Sequence, residues 1–260
     1  MKVYADLIRE VLHKGKKVKG RNGYTIQIAG ASIKWDVSDV VMLFPTARKL
    51  YLYGILGELA ALVRQPNHIN DFKKWGCNYW DQFGDANGNL NLDYGNAWKD
   101  GVDQIARVKR ALLTKKNRYN RDLMIVGWRP NLISKLTLPC CHFAYQYLCD
   151  SDDNLHLIWY QRSADIMVGI PSDIVLANVM LIAMAYETNL FPDTVTMHFG
   201  SAHIYQKHLR SAEKVLLLEE NLPNEYTHYD TTSLRLSDFS PGMIDIHYTP
   251  RRPIKFECVR

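Results

Sequence analysis

Ile174 to Tyr186 is the longest apolar stretch in this chain of 260 residues, and Asn178 is its single polar interruption. It falls short of the roughly 20 residues that span a bilayer. It is therefore expected as a helix buried in a protein interior, with Pro171 just ahead of it. A helix without a polar side needs other elements to cover it. The chain has the means: 47% of its residues are hydrophobic and 23% are charged, enough for one sizeable core and too apolar for disorder. No repeat and no Pro/Gly/Ser linker divides it, so residues 1–260 are expected as one domain.

The other segments alternate between two kinds of pattern. Tyr24 to Trp35 has strand character, with Thr25, Ile26, Ile28 and Ile33 near its core. Leu123 to Trp128, Phe143 to Leu148, Leu155 to Gln161, Val195 to Phe199 and Ile244 to Tyr248 also read as strands. Ala47 to Arg64 and Asp100 to Leu113 read as helices, the first mostly buried, the second amphipathic. Asn67 to Trp98 reads as short helices and loops anchored by aromatics. Lys14 to Arg21 reads as a basic loop punctuated by glycine. Strands and helices mixed in this order predict an α/β or α+β layer fold.

Several function classes are disfavoured at once. The five cysteines follow no disulfide framework, and no His/Cys cluster has zinc-ligand spacing, so reduced thiols and no metal are expected. Met1 to Asp6 has no apolar signal region, which predicts a cytoplasmic protein without a membrane segment. The net charge of +5 permits nucleic-acid binding. No recognition motif accompanies it, and a site for small phosphorylated ligands is expected instead.

The informative motifs lie between Gly57 and Lys255. Leu138-Pro-Cys-Cys-His142 is followed by Gln161-Arg-Ser-Ala-Asp165, Gly169 and Pro171. Upstream stand Gly57-Glu58-Leu59, Trp80-Asp81, Asp85-Ala-Asn-Gly88 and Tyr94-Gly95. Downstream stand Gly200-Ser-Ala-His-Ile-Tyr205, His208 and the tail Tyr248-Thr-Pro250 through Ile254-Lys255. In this order and spacing the motifs resemble those of the thymidylate synthase superfamily over most of the chain.

The resemblance implies a twisted mixed sheet flanked by helices, and a homodimer formed by sheet packing. It implies Cys141 as the nucleophile at carbon 6 of a pyrimidine nucleotide, with 5,10-methylenetetrahydrofolate as the one-carbon donor. Arg162 would bind the phosphate and lower the pKa of Cys141. Arg21 would be a second phosphate ligand, and Arg121 would reach the phosphate across the dimer. Asp122 stands where the superfamily has a second arginine, which weakens phosphate binding unless Lys115, Lys116 or Arg118 compensates. Glu58 would be the acid/base. Gln161 and Ser163 would line the nucleotide, and His203 and Tyr205 would hold the sugar. Asp165 and Gly169 would meet the pterin, with Trp80, Phe83, Leu138 and Val168 packing against the folate. Cys140 is expected as a packed structural thiol.

One departure bears on the base. Asp173 occupies the position at which thymidylate synthases carry a uracil-reading Asn. An ionised carboxylate only accepts hydrogen bonds, so it suits the exocyclic amine of cytosine and its ring nitrogen once protonated. A helix N-cap is the structural alternative for the same residue. Asp173, together with Ser201, resembles the deoxycytidylate hydroxymethylases of phages. dCMP is then the expected substrate and 5-hydroxymethyl-dCMP the product. A dCMP methylase, a thymidylate synthase acting on dUMP, and an inactive nucleotide- or RNA-binding homologue remain alternatives.

Overall fold

The computed structural model describes residues 1–38, 41–221, 227–249 and 251–259. The sequence-predicted tail motif includes Pro250, which lies outside them. Six strands form the main sheet: β1 (Lys16–Gly20), β2 (Gly23–Asp36), β4 (Met124–Val126), β5 (His142–Cys149), β6 (Asn154–Asp165) and β7 (Phe191–Tyr205). Their order is β1-β2-β7-β6-β5-β4, parallel between β6 and β7 and antiparallel elsewhere. β3 (Val41–Met42), β8 (Thr227–Thr231) and β9 (Ile244–His247) form a second, three-stranded sheet. This is the mixed α/β architecture expected.

The apolar run becomes the central helix α6 (Ile170–Thr188), packed against β6 and β7 on one side and helices α2 (Leu52–Leu62) and α5 (Gln104–Leu113) on the other. Its 19 residues are long and apolar enough to cross a membrane. Nearly all of them are buried inside the protein, so burial identifies it as a core helix where length does not. Pro171 sits within its first turn, where a missing N–H costs nothing. Asn178, at its middle, accepts from the Trp35 indole at 2.8 Å and donates to the Leu43 carbonyl at 2.9 Å.

Several sequence expectations are corrected. Lys14 to Arg21 is not simply a loop: Lys16–Gly20 is edge strand β1, closing a hairpin with β2. Its charge hid it, because an edge strand tolerates lysines on both sides. Lys17 Nζ lies 4.5 Å from the Tyr24 ring centre. Ala47 to Tyr51 is not helical, and the Ala47 N–H is taken instead by Glu219 at 3.0 Å. Asp173 is no N-cap, since α6 begins three residues earlier and the Asp173 N–H donates to the Gly169 carbonyl at 2.9 Å. Two amphipathic helices, α1 (Lys2–Lys14) and α7 (Leu209–Asn221), had not been anticipated. α1 buries Tyr4, Leu7, Ile8 and Val11 at helical spacing.

Candidate functional site

The sheet register assembles the motifs. Cys141 immediately precedes β5, and its carbonyl accepts from the Arg162 N–H at 2.9 Å. His142 pairs with Gln161 on β6, Ser163 with Ser201 and Asp165 with His203 on β7, and His203 with Gln27 on β2. Residues far apart in sequence thus form one band across four neighbouring strands. Gly200 permits the close approach of β7 to β6, because a Cβ there would stand 2.9 Å from the Arg162 carbonyl oxygen.

The Cys141 N–H donates to the Tyr94 hydroxyl at 3.1 Å. Burial raises the Cys141 thiol above its ordinary value, while the Arg162 charge and the Tyr94 hydrogen bond oppose the rise. The expectation that Arg162 brings the thiol down is therefore met only in sign of effect, because desolvation outweighs it. Arg162 is nevertheless well placed. Its Nε donates to the Cys140 carbonyl at 2.9 Å and its Nη2 to the Pro139 carbonyl at 2.7 Å, and the guanidinium lies 5.6 Å from the Trp128 ring centre. Cys140 is fully buried and its thiol is pushed up to about 12 by burial, in keeping with a packed side chain.

Asp173, on the first turn of α6, is only 7% exposed, and its charge acts on the Cys141 thiol. The Trp159 indole N–H donates to Gln161 Oε1 at 2.9 Å, which turns the Gln161 amide so that Nε2 donates to Asp173 Oδ2 at 2.9 Å. Oδ1 lies 3.9 Å from His142 Nε2. That ring carries no charge, since burial lowers its pKa to about 3, and its Nδ1 is engaged by the Tyr145 hydroxyl. Burial raises Asp173 to about 8, opposed by the Gln161 hydrogen bond. The carboxyl expected to be ionised is therefore neutral at neutral pH. The cause is the absence of any charged cation paired with it among the described residues.

Glu58 enters from α2. Both its oxygens are engaged: Trp80 Nε1 donates to Oε1 at 2.7 Å and the Tyr79 hydroxyl to Oε2 at 2.6 Å. Burial raises its pKa, and these two bonds oppose the rise. Trp80 stacks on Phe72 at 4.9 Å and meets Tyr94 edge-on at 5.6 Å and Phe83 at 5.4 Å. The Glu58 charge raises the Asp173 carboxyl, and the Asp173 charge raises the Cys141 thiol, so Asp173 stands between the two.

A family model described as thymidylate synthase matches residues 2–259. The chain belongs to the thymidylate synthase family. Membership places it among enzymes of folate-dependent one-carbon transfer to a pyrimidine nucleotide.

Asp165, the last residue of β6, is half-buried. Its Oδ1 accepts the N–H groups of Met167 and Val168 at 3.0 and 3.1 Å, and Oδ2 has no hydrogen bond among the described residues. Burial raises Asp165 to about 6, against those two bonds and the charge of Arg48. Phe83, Leu138, Val168 and Gly169 are half-buried. Arg48, for which the sequence gives no signal, donates to the Met167 carbonyl at 2.7 Å and lies over the Phe256 ring of the tail at 5.0 Å. Phe256 also packs on His208 at 5.2 Å, so the C-terminal segment lies beside the Tyr205 end of the site.

His203 is buried, with its ring 5.3 Å from that of Tyr205. Arg21 stands exposed at the β1–β2 hairpin, its Nε donating to Asn22 at 3.0 Å, and Asn22 in turn bonds Tyr205. Arg121 is not brought to the site of its own chain. Its carbonyl accepts from Gln146 Nε2 at 2.7 Å, five residues along β5 from Cys141, or about 17 Å away. Asp122 is held by Arg107, whose Nη2 donates to its carbonyl at 2.7 Å. Arg118 is not free to compensate, since it is buried and paired with Asp153 at 2.6 Å. Lys115 and Lys116 are exposed.

Proposed function

We propose that the protein transfers a one-carbon unit from 5,10-methylenetetrahydrofolate to carbon 5 of dCMP and releases 5-hydroxymethyl-dCMP. The observation that carries this reading is the buried carboxyl of Asp173, locked by Gln161 beside Cys141. A neutral carboxyl offers one donor and one acceptor. The cytosine edge takes both: ring nitrogen 3 accepts the proton, and the exocyclic amine donates to the carbonyl oxygen.

The residues then have definite tasks. Cys141, as thiolate, adds through Sγ to carbon 6. The ring's electron pair moves toward nitrogen 3, which takes the Asp173 proton, so Asp173 becomes ionised as the ring becomes an enamine. The folate supplies the carbon at the oxidation level of formaldehyde. Glu58, as carboxylate, takes the proton leaving carbon 5 and would pass it to the departing folate amine as the carbon–nitrogen bond breaks; ionised again, it deprotonates the water that adds to the exocyclic carbon. Loss of Sγ as thiolate, with the nitrogen 3 proton returned to Asp173, restores the aromatic ring. Arg162 and Arg21 meet the phosphate with forked, charge-assisted hydrogen bonds, helped by the partner subunit's Arg121 in a homodimer. His203 and Tyr205 hold the sugar.

The neutral state of Asp173 also favours a second reading. A donor–acceptor pair can face uracil as an amide does, so dUMP is the competing substrate. The test is incubation with dCMP or dUMP and methylenetetrahydrofolate, with the nucleotide product weighed by mass and dihydrofolate followed by absorbance. Hydroxymethyl-dCMP without dihydrofolate is the expected result. Methyl-dCMP with stoichiometric dihydrofolate would replace the water step by hydride transfer. Turnover of dUMP alone would overturn the assignment of the base. Asp173→Asn should move the preference from dCMP toward dUMP by at least about tenfold in kcat/KM, the loss of one well-matched polar contact. Cys141→Ala should abolish turnover and spare nucleotide binding. An intact turnover in that variant removes the covalent mechanism.

A further inference from the structure

Glu58 carries the proton steps in the reading above, yet both its oxygens are occupied by donors before any substrate arrives. That arrangement suits a carboxylate. When Glu58 takes a proton, the new O–H needs an acceptor, and one of the two donors has to turn to offer one. Trp80 has no freedom to do so: its indole is buried among Phe72, Phe83 and Tyr94, and an indole N–H only donates. Tyr79 has that freedom. A phenol both donates and accepts, and its proton rotates about the C–O bond. A second acceptor is in place for it, the Gly54 carbonyl, 3.5 Å from the Tyr79 oxygen and on the same helix as Glu58.

We infer that Tyr79 is a positioning residue whose hydroxyl switches between two hydrogen bonds as Glu58 gains and loses its proton. With Glu58 ionised, Tyr79 donates to Oε2. With Glu58 protonated on Oε2, that proton points to the Tyr79 oxygen, and the phenol proton turns to the Gly54 carbonyl. No proton is lost from Tyr79 in either state. Burial and the Glu58 charge keep the phenol protonated well above its ordinary range. The other titratable groups coupled to Glu58 are Cys77 beside Tyr79, Tyr94 on α4 (Tyr94–Trp98), Tyr145 on β5 and Asp173 on α6. None is a cation, so the two hydrogen bonds carry the stabilisation of the ionised form. The inference rests on the reading of Glu58 as the base.

The test is the pH dependence of kcat and KM for Tyr79→Phe beside the wild type and Glu58→Gln. Loss of a hydrogen bond to a buried carboxylate moves its pKa upward by about one to two units. The acid limb of kcat should therefore move up by that amount. The expected loss is about tenfold or more below the limb, with recovery at higher pH and KM little changed. A second variant covers a Tyr79→Phe protein that fails to fold. Fluorotyrosine at position 79 makes a stronger donor, and the acid limb should move down. An acid limb left in place by either substitution overturns the inference. An active Glu58→Gln enzyme overturns instead the reading of Glu58 as the base, so the two failures are separable.

Discussion

At the scale of single residues, Asp173 combines a reactive role with a stability cost. Its folded-state pKa of about 8 lies above the unfolded carboxylate value of about 3.9. Between those limits the native state binds the extra proton, so stability falls as pH rises through this window. Asp173→Asn removes the titrating group. The variant should hold its Tm between pH 6 and pH 8, while the wild type loses stability by about 1–3 kcal/mol. Equal pH slopes for the two proteins would show that Asp173 is not buried neutral. Catalysis should show the same group on the alkaline side. If the protonated carboxyl serves nitrogen 3, turnover of dCMP declines above about pH 8, and Asp173→Asn loses that limb.

The residue scale is also where the sequence reads best and then stops. Cys141, Arg162, Glu58 and Asp165 stand in motifs whose residue types suit the proposed chemistry, and the fold brings Arg162 and Asp165 close enough to Cys141 to act on its thiol. Tyr79 and Trp159 carry no such mark in the sequence. Tyr79 reads as one more aromatic anchor, because its hydroxyl matters only where α2 brings Glu58 within 2.6 Å. Trp159 reads as an inward-facing strand residue. Its hydrogen bond to Gln161, which sets the direction of that amide, depends on the two side chains sharing one face of β6.

At the scale of elements, the site depends on how closely β6 and β7 approach at Arg162. Gly200→Ala should force a shift there, because the added carbon would stand 2.9 Å from a backbone oxygen that cannot move cheaply. A destabilisation of about 1–3 kcal/mol in urea is expected, together with a raised KM for nucleotide as Arg162 is displaced. Unchanged stability and KM would mean that the ladder is looser than the register indicates. The strand pattern found β2 and β5 nearly whole, β6 without its last four residues, and only the middle of β7, read as Val195 to Phe199 where the strand runs Phe191–Tyr205. It missed β1, whose five residues are all exposed and therefore show no alternation. It also missed where α2 begins. The helix begins only at Leu52, after Tyr51 in a non-helical conformation, and the Ala47 N–H upstream is taken by Glu219, far away in sequence.

At the scale of the whole molecule, Arg121 lies about 17 Å from the Cys141 of its own chain by strand geometry. If the homodimer forms and Arg121 serves the partner's phosphate, activity should be rescued by mixing two dead proteins. Cys141→Ala and Arg121→Ala subunits, unfolded and refolded together, give mixed dimers with one complete site. About a quarter of wild-type activity should return, since half the dimers are mixed and each has one site of two. No recovery would leave Arg121 outside the site altogether.

The sequence by itself determined the fold class, the buried central helix and the family, and it named the candidates for the reactive side chains. These follow from apolar period, residue type and spacing, which are local properties of the chain. Only the tertiary structure decided their electrical state. The charge of Asp173, the height of the Cys141 thiol and the engagement of both Glu58 oxygens depend on burial and on partners far away in sequence. Desolvation arises from everything packed around a group, and no pattern along the chain records it.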